Sequence, residues 1–206
     1  YFSLFILFLL LIKICGILII YMEILKHRIN SFDKIDNNFS LELDVRDQNG
    51  DLVVSHDLPI TSTIKLEDFL QKIDKNKLIA INVKSVEIEK NLKKILSDAN
   101  LKNYFTFDWP VPSLLKALKH NLICAFRLSE YEKDIIPNCD WVLIDSFQSI
   151  WYDANFLNSL KNSGLKLAIV SPEIHNRKSD LAQVKDIVNS VKVDAICTDL
   201  PDFWYT

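Results

Sequence analysis

SLELDVRDQNGDLVVSHD, residues 40–57, is the stretch on which the architecture turns. Leu41, Leu43 and Val45 share one face of an extended chain, and Glu42, Asp44 and Arg46 share the other. The apolar face suits a cover of helices. The opposite face carries two carboxylates that repel one another and need a cation, either a divalent metal or neighbouring arginine and lysine. Oxygen donors of this kind suit Mg²⁺, Mn²⁺ or Ca²⁺ better than zinc. Asn49-Gly50 is a two-residue hairpin signal, so Leu52 to Ser55 returns against the strand and lengthens the connection that follows.

The pattern continues on both sides. Short β-branched and aromatic runs recur at 23–27, 40–45, 78–84, 104–108, 123–128, 141–145, 166–172 and 195–199, with amphipathic stretches between them. Ser85 is placed to cap a helix over 86–99, whose Ile88, Leu92, Ile95, Leu96 and Ala99 form one stripe. Ser179 is placed to cap a helix over 180–190, and Gly164 to end the helix before the seventh strand. Residues 29–39 make a weaker helix. Strand alternating with helix gives a parallel sheet, and eight such units favour a closed (β/α)8 barrel over an open doubly wound sheet. The absence of a Gly-x-Gly-x-x-Gly after the first strand disfavours a dinucleotide fold.

The 206 residues, 49% hydrophobic and 25% charged, can bury a core within one domain, assigned to 22–206. A net charge of −3 gives nucleic acid no electrostatic purchase. Cys15, Cys124, Cys139 and Cys197 are widely spaced and read as single thiols rather than a zinc or redox motif. Residues 1–21 carry one charge, Lys13, in about the length a membrane helix needs. Two readings of them stay open. They are a membrane anchor, or they are sequence upstream of a start at Met22, which would leave a cytoplasmic protein.

Polar residues gather where the strands end, and catalytic groups of barrel enzymes collect there because the strand-to-helix loops converge. His27-Arg28, then Glu42-x-Asp44, then Asn49-Gly50-Asp51-Leu52-Val53-Val54 and His56-Asp57 resemble the signature of the glycerophosphodiester phosphodiesterase family. Asn82-Val83-Lys84 stands where that family has Glu-x-Lys, and Thr198-Asp199-Leu200-Pro201-Asp202 resembles its closing segment. The resemblance implies a barrel hydrolase acting on a small or lipid-linked phosphodiester. It makes His27 and His56 the acid/base pair, Glu42 and Asp44 ligands of a divalent metal such as Mg²⁺ or Ca²⁺, and Arg28 and Lys84 holders of the phosphate. The residue types suit that chemistry. Histidine both takes and gives protons near neutral pH, while metal and cationic side chains offset charge on the non-bridging oxygens.

Three features depart from the family pattern. Asn82 is neutral where a third metal carboxylate is expected, which weakens the metal site unless Glu173 or Asp108 contributes from another strand. Ile29 follows His27-Arg28 where the family has glycine. Only Leu58 to Lys65 separate His56-Asp57 from the next helix, so the usual wall over the glycerol side is missing. Arg46, Arg127, Glu130, Tyr131, Glu132 and Arg177 lie outside the pattern. Three arginines round one mouth suit an anionic ligand, which adds Arg46 and Arg127 to the phosphate-binding candidates. His120 and His175 join no constellation and read as surface residues. The aromatic tail, Phe203 to Tyr205, is expected to cap the barrel floor or a neighbouring helix. Beside the enzyme reading stands a binding module that keeps an anionic pocket for a phosphate or sugar phosphate without turnover. Asn82 favours the module; the two histidines favour the enzyme.

Overall fold

The computed structural model describes residues 22–58 and 63–205. The apolar segment 1–21 and both readings of it, with Cys15, lie outside the described residues. Among the described residues no helix is long and apolar enough to cross a membrane.

The strands are β1 (Glu23–Lys26), β2 (Ser40–Gln48), β3 (Asp51–Val54), β4 (Ile64–Lys65), β5 (Ile79–Val83), β6 (Tyr104–Phe107), β7 (Ala125–Leu128), β8 (Trp141–Ile144), β9 (Lys166–Val170) and β10 (Ala195–Thr198). All the expected strand runs form. β1 pairs in parallel with β2 on one side and β10 on the other. From β2 the parallel order passes to β5 and β6; from β10 it passes to β9, β8 and β7. A single parallel bridge, Thr106 to Cys124, joins β6 to the chain entering β7, with the Thr106 amide donating to the Ile123 carbonyl at 2.9 Å.

β2 outruns its expected end because the hairpin extends it. Val45 to Gln48 pair antiparallel with Asp51 to Val54, and Asn49 and Gly50 both take positive φ, 57° and 91°, as a tight primed turn requires. β4 adds a short third strand to this hairpin by pairing with β3.

The helices are α1 (Leu66–Leu70), α2 (Glu89–Asp98), α3 (Val111–Lys119), α4 (Ala154–Asn162), α5 (Leu181–Val191) and α6 (Pro201–Trp204). Two expected caps do not form. α2 starts at Glu89, after Ile88, because the Ser85 hydroxyl instead accepts the Asp47 amide at 3.1 Å and ties the far end of β2 to the segment after β5. α5 begins after a 3-10 turn over Lys178–Asp180, and Ser179 bonds the Asp180 carboxylate rather than the helix. Gly164 ends the α4 region at φ 93° as expected. The weak helix over 29–39 reduces to one 3-10 turn at Phe32–Lys34. Asp36 there accepts from Asn38 in a local turn that competes with a helix.

The core has two layers. Outside the strands, Leu41, Leu43 and Val45 of β2 pack with Leu92, Ile95 and Leu96 of α2. Inside them lies a second cluster in which the Phe105 and Trp141 rings stack at 4.6 Å while Ala80, Ala125, Ala168 and Ala195 supply the small partners. Alternating large and small side chains is how such an interior fills without overpacking. In the tail, Trp204 is buried in the outer layer and Tyr205 meets Phe39 edge-on at 5.9 Å.

Candidate active site

Above the apolar interior, at the C-terminal ends of the parallel strands, lies a cavity of about 160 Å³. Its floor is hydrophobic, with Leu25, Phe105, Leu143 and Cys197. Its walls carry His27, Arg28, Glu42, Asn82, Lys84, Asp108, Arg127, Asp145 and His175. Strand alternation accounts for this division. Every second residue of β2 from Ser40 shares one face, and Glu42 and Asp44 are its acidic members.

Glu42 and Asp44 are 2% and 1% exposed. Burial, and then the neighbouring Asp44 charge, push the Glu42 carboxyl up to about 8. Its Oε2 accepts the Arg28 amide at 2.6 Å. That bond coincides with a strained backbone, since Arg28 sits at φ 55°, a region costly for a side chain of this size. The sequence signature places a glycine one residue later. Here Arg28 itself turns the loop, while the Ile29 amide donates to the Glu42 carbonyl at 2.8 Å and its side chain is buried. Asp44 is gripped by Asn30, whose Nδ2 donates to Oδ2 at 2.7 Å and whose Oδ1 accepts the Asp44 amide at 2.9 Å. Sequence reasoning missed Asn30. Two buried carboxylates a short loop away from an asparagine are a signal too general to single it out. Lys84 Nζ lies 3.4 Å and Arg28 Nε 4.0 Å from the Asp44 carboxylate.

Two buried oxygens in this region, Asp44 Oδ1 and Asn82 Oδ1, accept no hydrogen bond among the described residues. They belong to register partners across β2 and β5. Asp44 Oδ1 has Lys84 Nζ at 3.4 Å as counter-charge, while Glu42 and Asn82 line the cavity; such an oxygen set fits a hard divalent cation, for which Lys84 is the competing positive charge. No cluster of three or more Asp, Glu, His or Cys side chains suited to a metal occurs among the described residues. A cation held here would lean on the neutral Asn82 oxygen. Glu173 does not join it: its carboxylate accepts from the Ser171 and Thr198 hydroxyls and, at 3.1 Å, from the Asp199 amide.

The histidines divide. His27 Nδ1 bonds Asp199 Oδ1 at 3.0 Å. Burial lowers its pKa, against the opposing pull of Asp199. His56 is absent from the cavity lining, and its Nδ1 meets Asp57, whose side chain is 93% exposed. Arg46 lies beside it, but its donors are engaged. Nε and Nη2 reach the His56 carbonyl at 2.9 and 2.7 Å, and Nη1 reaches the Lys84 carbonyl at 3.3 Å. Arg46 thus pins two strand-end loops together.

On the opposite wall Arg127 forks between Asp108 and Asp145, reaching Asp145 Oδ2 at 2.5 Å. Asp108 holds the left-handed region at φ 63°. His175, read from sequence as a surface residue, is drawn into this wall. Its Nε2 lies 2.7 Å from Asp145 Oδ1, and its ring packs on Phe147 at 4.8 Å. Thirty positions separate this pair, and no local spacing announces it. Glu130 stands behind. Burial would raise its pKa, but the amides of Ser149, Gln148 and Phe147 outweigh that and hold it at about 2. Arg177 donates to the Ser146 hydroxyl at 3.0 Å and pairs with Asp180 at 3.1 Å.

No protein-family model matches the sequence, and no curated protein matches it. Solved structures do. A glycerophosphodiester phosphodiesterase from Thermotoga maritima is 18% identical, with a TM-score of 0.61 over 87% of this chain and 95% of that one. A glycerophosphoryl diester phosphodiesterase from Parabacteroides distasonis is 15% identical, with a TM-score of 0.63 over 89% of this chain and 84% of that one.

Proposed function

From the shared fold of the glycerophosphodiester phosphodiesterases, we propose that this chain is a phosphodiester hydrolase on a closed (β/α)8 barrel, acting on a small or lipid-linked phosphodiester. The observation that carries the reading is one cavity in which a carboxylate-bound histidine, His27, adjoins Glu42, Asn82, Arg28 and Lys84. Each part has a task. Arg28 and Lys84 hold the anionic phosphate and offset charge that builds on its free oxygens. His27, oriented by Asp199, exchanges a proton with the attacking or departing oxygen. Its lowered pKa keeps it neutral at neutral pH and ready to accept. The second proton-transfer group is a histidine across the phosphorus, either His56, from the sequence signature, or His175. Glu42, Asp44 and the Asn82 oxygen would hold a divalent cation such as Mg²⁺ or Ca²⁺, which when bound supplies further charge stabilisation.

The test is hydrolysis of a panel of alkyl, aryl and glycerol-linked phosphodiesters by the full chain, with Mg²⁺, Ca²⁺ or a chelator present. Turnover of at least one ester, lost in Arg28→Met and Lys84→Met, is the expected result. The orphaned neutral Asn82 favours a second reading, a binding module. Esters that bind by calorimetry but are never cleaved under any metal condition would establish that reading instead. Calorimetric titration with Mg²⁺ should also show tighter binding to Asn82→Glu than to the wild type. Heat from neither would mean that Lys84 and Arg28, not a metal, balance the carboxylates.

A further inference from the structure

We infer that His175, held by Asp145, is the group that protonates the departing alkoxide, working in the same cavity as His27; this rests on the hydrolase reading above. His175 closes a one-turn 3-10 helix, Pro172–His175, at the end of β9. Its partner is well anchored. The Asp145 side chain is 3% exposed, its Oδ1 accepts the Ser146 amide at 2.8 Å, and its Oδ2 accepts Arg127 at 2.5 Å. A carboxylate fixed in this way holds an imidazole in one orientation. With Nε2 committed to Asp145, Nδ1 remains, and it has no partner among the described residues. Phe147 packed on the ring limits its rotation.

His27 is arranged in complementary fashion, with Nδ1 on Asp199 and Nε2 without a partner among the described residues. Both rings line the same cavity. The two pairs stand on adjoining strand ends, His27 with Asp199 at β1 and β10, His175 with Asp145 at β9 and β8, four strands that are consecutive in the sheet. His56 lacks these features. It does not line the cavity, and its carboxylate partner is the chain neighbour Asp57, whose side chain is 93% exposed.

The step balances without further reagents. The oxygen of water, or of a neighbouring substrate hydroxyl, forms a bond to phosphorus as the bond from phosphorus to the alcohol oxygen breaks. The electron pair of the breaking bond passes to that oxygen, which takes the proton from protonated His175. His27 receives the proton of the nucleophile. Exchange with solvent then restores both rings.

Leaving-group dependence tests this. An aryloxide departs without help, whereas an alkoxide needs a proton. The full chain, His175→Gln and His56→Gln are compared on matched alkyl and aryl phosphodiesters. His175→Gln should lose roughly 10²–10⁴-fold in kcat on the alkyl ester and less than about tenfold on the aryl ester. Retained aryl turnover also shows that the variant is folded. Asp145→Asn, a positioning change, should show the same selective loss to a smaller extent. Should His175→Gln melt early, His175→Asn is read by the same comparison. Equal loss on both esters by a variant that melts like the wild type overturns the inference, as does leaving-group dependence in His56→Gln instead. Either outcome leaves the hydrolase reading intact. A wild type that cleaves neither ester overturns both.

Discussion

Replacing Arg46 separates a structural arginine from a phosphate ligand. Its guanidinium makes two bonds to the His56 carbonyl, at 2.9 and 2.7 Å, and a longer one to the Lys84 carbonyl at 3.3 Å. Arg46→Met keeps much of the stem packing and removes all three. Charge-assisted bonds contribute ~1.5–3 kcal/mol each, but two share one acceptor and the third is long, so the loss should be ~2–3 kcal/mol. For a chain of this size each kcal/mol moves Tm by about 2–4 °C, giving a fall of roughly 4–12 °C. Arg46→Lys retains the charge but cannot fork, so its Tm should lie between the two. Thermal and urea melts measure this, with calorimetric titration of inorganic phosphate alongside. Both variants melting within about a degree of the wild type, while Arg46→Met alone loses phosphate affinity, would refute a structural role. Arg46 would then be the anion ligand that its place on the acidic face suggested.

Three further outcomes are expected. Asn30→Ala strips Asp44 of two bonds and leaves its amide and Oδ2 buried without them, so urea melts should show a loss of ~2–4 kcal/mol; under about 0.5 kcal/mol would mean that water replaces the amide. Glu130 has its pKa depressed in the fold, from 4.5 to about 2. Its contribution is therefore present above pH 4.5 and disappears as pH falls toward 2. The gap between wild type and Glu130→Gln should be ~1 kcal/mol at pH 7, after allowing for solvent screening, and close by pH 2; a gap independent of pH contradicts the assignment. Glu42 has the opposite sign. Its pKa is raised to about 8, so the buried charge costs stability increasingly between pH 4.5 and 8. In chelator, Glu42→Gln should gain on the wild type over that range, by on the order of a few kcal/mol at pH 9. Melts in which the variant only loses stability would show that ionised Glu42 is already compensated.

Much of the fold was legible because its causes are local. Period-two alternation across 41–46 sends Leu41, Leu43 and Val45 outward and Glu42 and Asp44 inward. The Asn49-Gly50 pair takes the positive φ values that its chemistry permits. The caps at Ser85 and Ser179 were not legible, since a serine hydroxyl bonds whichever amide or carboxylate the fold brings near. For Ser85 that was Asp47, from a strand 38 residues away. The site divides along the same line. His27, Glu42, Asp44, Asn82 and Lys84 could be named from strand ends and spacing. The partners that orient them could not. Asp199 meets His27 across 172 positions, Asp145 meets His175 across 30, and Asn30 reaches Asp44 from a loop expected to be helical. Alternation along a strand is written in consecutive residues. Which charges meet at the mouth depends on strand order, loop path and the direction each terminal side chain takes, and these are settled only when the whole chain packs.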